Sequence, residues 1–335
     1  RLGFAVASNV LWLREGQRQI SIHLGFESLR NQPWTKLGNI LRHLPNIKDS
    51  IADDKAKFFA YFSKMFQLAL TTADGWLEIS EYKPSYQATD AKVKPNAVQL
   101  AFLLPENAPA ICAYNPDIHG DQLTTRLTVM RCTLRENYLQ YPYDILRQLV
   151  LRDVRINVDV QGCHDLLLHN NIGQLSPLSP FQPFGPMPEV GSYFIVGHEE
   201  TRSKQLLDWN LDIEWSGLPT VNGGFKQWYQ GYQQPRENAQ FVAGVSVLSD
   251  GRWKTANQQI GLFEQGLKNG NTHLKNRSRL SLPAPFPMLI RKRSHPTKNP
   301  LFTHHKPAMV YLNLPYKALP APLAIASIPM SWPRY

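Results

Sequence analysis

The sequence contains few cysteines and no long apolar run, and both absences limit what the protein can be. Its three cysteines, Cys112, Cys132 and Cys163, are odd in number and have no CxxC spacing. This pattern argues against a disulfide framework or a zinc cluster and favours reduced thiols in a cytosolic product. Apolar stretches such as residues 101–104 are far shorter than the roughly 18 residues needed to cross a bilayer. We therefore predict no membrane span.

The first residues of the sequence also lack the pattern of a leader segment. The first residue is Arg1 rather than Met, and no charged segment followed by an apolar segment precedes the first predicted strand. We expect the chain to be a piece of a longer polypeptide.

Acidic residues are absent from the last part of the chain. Residues 265–335 contain eleven Lys or Arg, eleven prolines and no Asp or Glu. Residues 1–264 therefore contain the other 25 basic residues and all 26 acidic residues, and are almost neutral. The run Arg-Lys-Arg at 291–293 could meet phosphate groups, but no aromatic residues interleave with these charges. We expect a basic, proline-rich tail over 265–335, disordered or aberrant, and no nucleic-acid partner.

One pair of carboxylates has the spacing of a catalytic pair. Asp212 and Glu214 lie two residues apart on a predicted strand, so both project from one face, as a general acid and base would. Asp208 and Asn210 continue the same row. A continuous polar row favours a solvent-facing or interface surface over a glycosidase-like pair, whose carboxyls usually come from separate segments.

Other catalytic and ligand-binding motifs are missing. The chain has no GxSxG, HExxH, GxGxxG or GxxxxGK[ST] motif, and His164, His169 and His198 lack the spacing of a metal-ligand set. We therefore predict that the protein is not an enzyme. We also predict no catalytic, cofactor-binding or metal-binding residues, no cofactor and no small-molecule substrate.

Alternating apolar and polar residues predict many strands. The most regular example is residues 153–161, where Val154, Ile156, Val158 and Val160 alternate with polar side chains. Other strands are predicted at 6–13 and 18–26, which would form a hairpin, and at 67–70, 76–80, 98–104, 191–197, 207–215, 241–248 and 251–254. Short helices are predicted at 34–44, from Asp53, after Pro142 and at 225–232.

These patterns predict an α+β fold that is mostly β, with several small β-rich domains and short inserted helices. We expect a hairpin-and-helix segment over 1–105, a β-rich core domain over 106–264 and the tail over 265–335.

Residues 176–188 are too rich in proline for a helix or a central strand. They should form an ordered, extended loop that is anchored by Phe181 and Phe184.

Several motifs combine into a more specific pattern. They are Leu-Leu-Leu-His-Asn-Asn-Ile-Gly-Gln-Leu at 166–175, Phe-Gly-Pro-x-Pro-x-Val-Gly-Ser at 184–192, Ile-x-Trp at 213–215, and Leu-Gly-Phe-Ala-Val-Ala-Ser at 2–8. This pattern resembles the baseplate wedge (baseplate J-like) proteins of extracellular contractile injection systems. These systems are phage-tail-like particles of the antifeeding prophage and Photorhabdus virulence cassette type. The resemblance covers most of residues 1–264.

The resemblance implies a structural baseplate subunit that holds wedge contacts between hub and sheath. Its implied partners are other wedge subunits, hub and spike proteins, and sheath proteins, and it would assemble in the bacterial cytoplasm before becoming part of a particle. Family members carry no catalytic residues to transfer. The chain departs from the family after Lys268, where the tail is either lineage-specific or the product of a shifted reading frame. We expect contacts on the row from Asp208 to Glu214 and on the loop 181–188.

A carbohydrate-binding or carbohydrate-active β-rich protein remains the alternative. It requires a tryptophan in an open groove beside Asp212 or Glu214, whereas the structural hypothesis requires Trp209 and Trp215 to be buried. A third hypothesis is nucleic-acid binding by the tail alone, which would weaken with salt and disappear on removal of residues 265–335.

Overall fold

The computed structural model describes residues 3–26, 62–87, 97–120, 123–135, 150–202, 204, 209–249, 252–268, 270–282, 309–313 and 330–331. These residues are mostly strand with a few short helices, which confirms the predicted fold class. They belong to two compact units, Arg1–His164 and Asp165–Tyr335. Within these ranges no helix is long and apolar enough to span a membrane. The helices predicted at 34–44 and after Pro142 lie outside the described residues.

Among the described residues, the first unit contains two antiparallel four-stranded sheets, ordered β1-β7-β3-β4 and β5-β6-β2-β8. A 3-10 helix covers Asn9–Leu11 and a short helix α1 covers Pro116–His119. The strands are β1 Gly3–Ala7, β2 Gln17–Phe26, β3 Phe66–Thr72, β4 Gly75–Ile79, β5 Lys83–Gln87, β6 Ala97–Leu104, β7 Val129–Leu134 and β8 Leu151–Gln161.

Both sheets contribute to one hydrophobic core. Ile20, Ile22 and Leu24 of β2 are buried in it, as their alternation predicts, together with side chains from β3, β6 and β7. The hairpin predicted from 6–13 and 18–26 is wrong, because β1 pairs with β7 whereas β2 pairs with β6 and β8. The 3-10 helix that follows β1 separates the two segments, which then join different sheets.

A buried arginine ties the loop after β6 to β2. The Arg18 side chain is fully buried, and its guanidinium donates hydrogen bonds to the carbonyl oxygens of Pro105 (3.0 Å), Ala108 (2.8 Å) and Pro109 (2.9 Å). Beyond this loop, β8 pairs with β2 along its length. The boundary between the two units therefore differs from the one predicted at residue 105, which lies inside the first unit.

In the part of the second unit that the structure describes, the strands form three antiparallel sheets, ordered β10-β9-β11-β18-β13-β14, β17-β12-β19 and β15-β16. A short helix α2 covers Phe225–Trp228, and 3-10 helices cover Glu199–Arg202 and Asn238–Gln240. The strands are β9 Leu167–Asn170, β10 Gln174–Leu175, β11 Tyr193–Gly197, β12 Trp209–Trp215, β13 Val242–Ser249, β14 Arg252–Gly261, β15 Gln265–Lys268, β16 Asn271–Leu274, β17 Arg277–Leu282, β18 Met309–Asn313 and β19 Met330–Ser331.

Part of the predicted tail belongs to the fold of this unit. Strand β17 pairs with β12, and its Ser278 and Leu280 are buried. Strand β18 lies between β11 and β13 in the six-stranded sheet. These segments differ from the expected disordered tail, because their backbone groups are paired with strands of the preceding sequence.

Candidate interaction surfaces

Among the described residues of the second unit, three of the four most exposed large apolar side chains lie on one loop and the turn beside it. We call residues 171–188 the apolar loop. In it Ile172, Leu178 and Met187 are 70%, 89% and 79% exposed. The Ile172 side chain lies beside Gly185, where a Cβ atom would be 3.4 Å from Ile172 Cδ1. Large apolar side chains exposed close together often mark an interaction surface.

A buried asparagine holds the two parts of the apolar loop together. Asn170 is almost completely buried. Its Nδ2 donates to the carbonyl oxygen of Gln182 (3.0 Å), and its Oδ1 accepts the N–H of Ile172 (2.9 Å). The first bond reaches the proline-rich segment and the second reaches the turn. One side chain therefore fixes both parts relative to β9.

Two phenylalanines anchor the proline-rich segment to the core. Phe181 is buried and Phe184 is partly buried, and their ring centroids lie 5.6 and 6.5 Å from the ring centroid of Phe194 on β11. This confirms the predicted anchors. The exposed apolar side chains are therefore carried by an ordered segment rather than by a free one.

Asp212 and Glu214, which have the spacing of a catalytic pair, form ion pairs with arginines of β17. Arg279 Nε and Nη2 donate to the two carboxylate oxygens of Asp212 at 2.6 and 2.9 Å. Arg277 Nη2 donates to Glu214 Oε2 at 3.1 Å. Both carboxylates share one face, as predicted, whereas Asp208 lies outside the described residues. Bidentate pairing of this kind favours a structural role over acid–base chemistry.

A third carboxylate extends this ion-paired face. Glu264 accepts the backbone N–H of Arg279 (2.9 Å) and a hydrogen bond from Lys275 Nζ (3.0 Å). These two donors, the backbone N–H first, hold the pKa of Glu264 below its ordinary value. Three acidic and three basic side chains thus neutralise one another around β12 and β17. Such exposed pairs contribute little stability singly.

The tryptophans of β12 lie on the other face, towards the core. Trp215 is buried, and its Nε1–H donates to Ser278 Oγ. Trp209 is partly buried and packs against the same core. Neither ring therefore forms an open groove beside Asp212 and Glu214, which is the arrangement that carbohydrate binding at this strand requires.

The three histidines considered as metal ligands have different surroundings. In the first unit, His164 Nε2 lies 3.6 Å from Glu106 Oε1. In the second unit, the His169 ring stacks on Tyr193, and His198 Nδ1 accepts the N–H of Glu200 at 3.3 Å.

Some of these features were missed from sequence. The role of Asn170 was not recognised, although Asn-Asn-Ile-Gly at 170–173 carries the Asn and Gly residues typical of a turn. Arg277 and Arg279 were assigned to the tail, although their spacing of two residues matches that of Asp212 and Glu214. Comparing the charge spacing of the two segments could have indicated the strand pair.

Comparison with known proteins adds no relative, because no protein-family model matches the chain and no curated protein is significantly similar to it.

Proposed function

We propose that the chain is a structural baseplate subunit of a phage-tail-like contractile injection particle, where it holds wedge contacts between hub and sheath. The motifs at 166–175, 184–192 and 213–215, which resemble those of wedge proteins, suggest this role. Its partners would be other wedge subunits, hub and spike proteins, and sheath proteins. The subunit would assemble in the bacterial cytoplasm and then remain in the particle. Its action is mechanical: it maintains contacts until a conformational change passes outward.

The apolar loop is the single observation that supports this proposal best. It exposes Ile172, Leu178 and Met187, and its second half overlaps the 184–192 motif. Burying one such side chain against a partner contributes about 1.5 to 3 kcal/mol. Because Asn170 and the prolines already fix the loop, little conformational entropy is lost when a partner covers it. A protein that must associate permanently with neighbours benefits from both properties.

The proposal is tested by removing the apolar side chains without disturbing their anchors. We expect the double variant Leu178→Ser and Met187→Ser to fold normally, since both side chains are exposed. When the tagged variant is purified from its native cells, at least about tenfold less wedge, hub and sheath protein should be recovered with it. The reason is that a loss of about 1.4 kcal/mol lowers the affinity tenfold. Quantitative mass spectrometry measures the recovery.

A matched control is Leu103→Ser, which removes another exposed leucine, on β6 of the first unit. This control should recover partners as the unchanged chain does. Equal recovery by the double variant and the control would contradict a role for the apolar loop in assembly. If the unchanged chain recovers none of the wedge, hub and sheath proteins, the proposed function itself is contradicted.

A further inference from the structure

Strand β8 lies at the edge of its sheet. It is the last strand in the order β5-β6-β2-β8, and among the described strands it pairs with β2 alone. An edge strand presents a row of backbone N–H and C=O groups to which another strand can be added. At eleven residues, β8 is also the longest described strand. Long, regular edges of this kind need a covering partner or a device that prevents pairing.

The side chains of β8 are arranged symmetrically about Asn157. On the polar face, Arg155 lies two residues before Asn157 and Asp159 lies two residues after it. On the apolar face, the neighbours are Ile156 and Val158. One further step in each direction gives Val154 and Val160. From Val154 to Val160 the strand therefore has the same chemistry in both directions, except that the charge changes sign.

This arrangement makes β8 complementary to a second, antiparallel copy of itself. We propose that β8 pairs with β8 of a second copy of this chain about a two-fold axis at Asn157. Arg155 of each copy then lies opposite Asp159 of the other, and the two Asn157 amides face each other. Ile156 lies opposite Val158 on the apolar face. The two sheets become one continuous sheet of eight strands, with both edges at β5.

Charge complementarity selects this register over its neighbours. Centring the pair on Ile156 places Asp153 opposite Asp159, and centring it on Arg155 or Asp159 places like charges opposite themselves. Centring it on Val158 leaves Arg155 opposite the uncharged Gln161. A shift by one residue would place the polar side chains of one strand beside the apolar side chains of the other. It is excluded because successive side chains point to opposite faces of a strand. Opposite charges across strands stabilise a pair and like charges destabilise it.

The side chains that form these pairs are accessible. The Arg155 side chain is 68% exposed, and its contact within the chain is an exposed ion pair with Asp153 at 3.2 Å. Asp159 and Asn157 are exposed as well. The Asn157 Nδ2 lies 3.2 Å from His23 Nε2. An exposed intrachain pair of this kind is weak, so Arg155 can turn to a carboxylate of the second copy.

The association is tested with the purified full chain, independently of any particle protein and therefore independently of the proposed function. Sedimentation equilibrium should give a dimer of the 38.2 kDa chain at micromolar concentration. Asp159→Arg places arginine opposite Arg155 in both symmetry-related pairs and should weaken dimerisation about tenfold or more. Arg155→Asp should do the same. The double variant Arg155→Asp and Asp159→Arg exchanges the charges and should restore the dimer.

The control is Glu189→Arg, which makes the same charge change at an exposed position of the second unit and should leave the dimer intact. Circular dichroism of each variant verifies that the fold is retained. Any one of three results would overturn the proposal: a monomeric unchanged chain at about 100 μM, single variants that associate as the control does, or a folded double variant that stays monomeric. Pairing with a different subunit by a chain that is monomeric on its own would overturn it as well.

Discussion

The Ser278 hydroxyl tests whether β17 is an integral part of the second unit. It is buried, accepts a hydrogen bond from Trp215 Nε1–H, and donates one to the carbonyl oxygen of Leu262 at 2.8 Å. Replacing Ser278 by alanine removes one oxygen atom and leaves both of these groups without a partner. Ser278 lies in the segment that composition alone assigned to a disordered or aberrant tail. A large effect therefore requires that this segment be folded.

The expected loss follows from the two groups left behind. A buried donor or acceptor without a partner costs about 1 to 3 kcal/mol, so the indole N–H and the carbonyl together should cost about 2 to 6 kcal/mol. This is a large fraction of the 5 to 15 kcal/mol that typically stabilises a domain. With a urea slope of about 2 kcal/mol per M, the middle of the usual range, the midpoint of the second unit should fall by about 1 to 3 M.

Urea unfolding of the full chain, followed by tryptophan fluorescence and circular dichroism, measures this shift. The matched control is Ser281→Ala, which removes the same atom at an exposed position of the same strand. It should change the free energy of unfolding by less than about 0.5 kcal/mol. If Ser278→Ala and Ser281→Ala unfold alike, β17 is not packed as described and the account of the second unit fails.

Three further predictions concern the first unit. Arg18→Met should destabilise it by about 3 kcal/mol or more, measured by urea unfolding, because three loop carbonyl oxygens lose a charged donor inside the protein. Burial first, and then the charge of Arg155, lower the pKa of His23 below 6.5, so the neutral ring is favoured in the folded state. Its contribution to stability is complete above about pH 6.5 and is lost as the pH falls through the lower, folded-state pKa, and His23→Gln should remove this dependence. Burial raises the pKa of Cys132 to about 12, so iodoacetamide at pH 8 should leave it unmodified until the chain is unfolded.

Local patterns predicted the strands better than their partners. The alternation in β8 and β12 identifies segments whose signals lie within a few residues. The neighbours of β2 could not be predicted in this way, because β8 follows it by more than a hundred residues. Pairing between such distant segments depends on the hydrophobic core that they share, and the sequence of either strand alone does not reveal it.

The interpretation of the tail was limited for a related reason. Counting charges by segment shows an excess of basic residues after position 264. In the fold, Arg277 and Arg279 lie beside Glu214 and Asp212, so the excess in one segment balances acids in another. The apolar loop was better predicted, since proline and phenylalanine act locally. Only the structure shows that Ile172 joins it.

The proposed place of this chain in a particle is tested most directly by locating it there. Phage-tail-like particles would be purified from cells that produce a tagged full-length chain, labelled with gold against the tag and imaged in negative stain. The proposal predicts label at the baseplate end of each particle, with wedge, hub and sheath proteins in the same fraction. A tagged chain that is folded but found only free of particles, with no label at any baseplate, would contradict it.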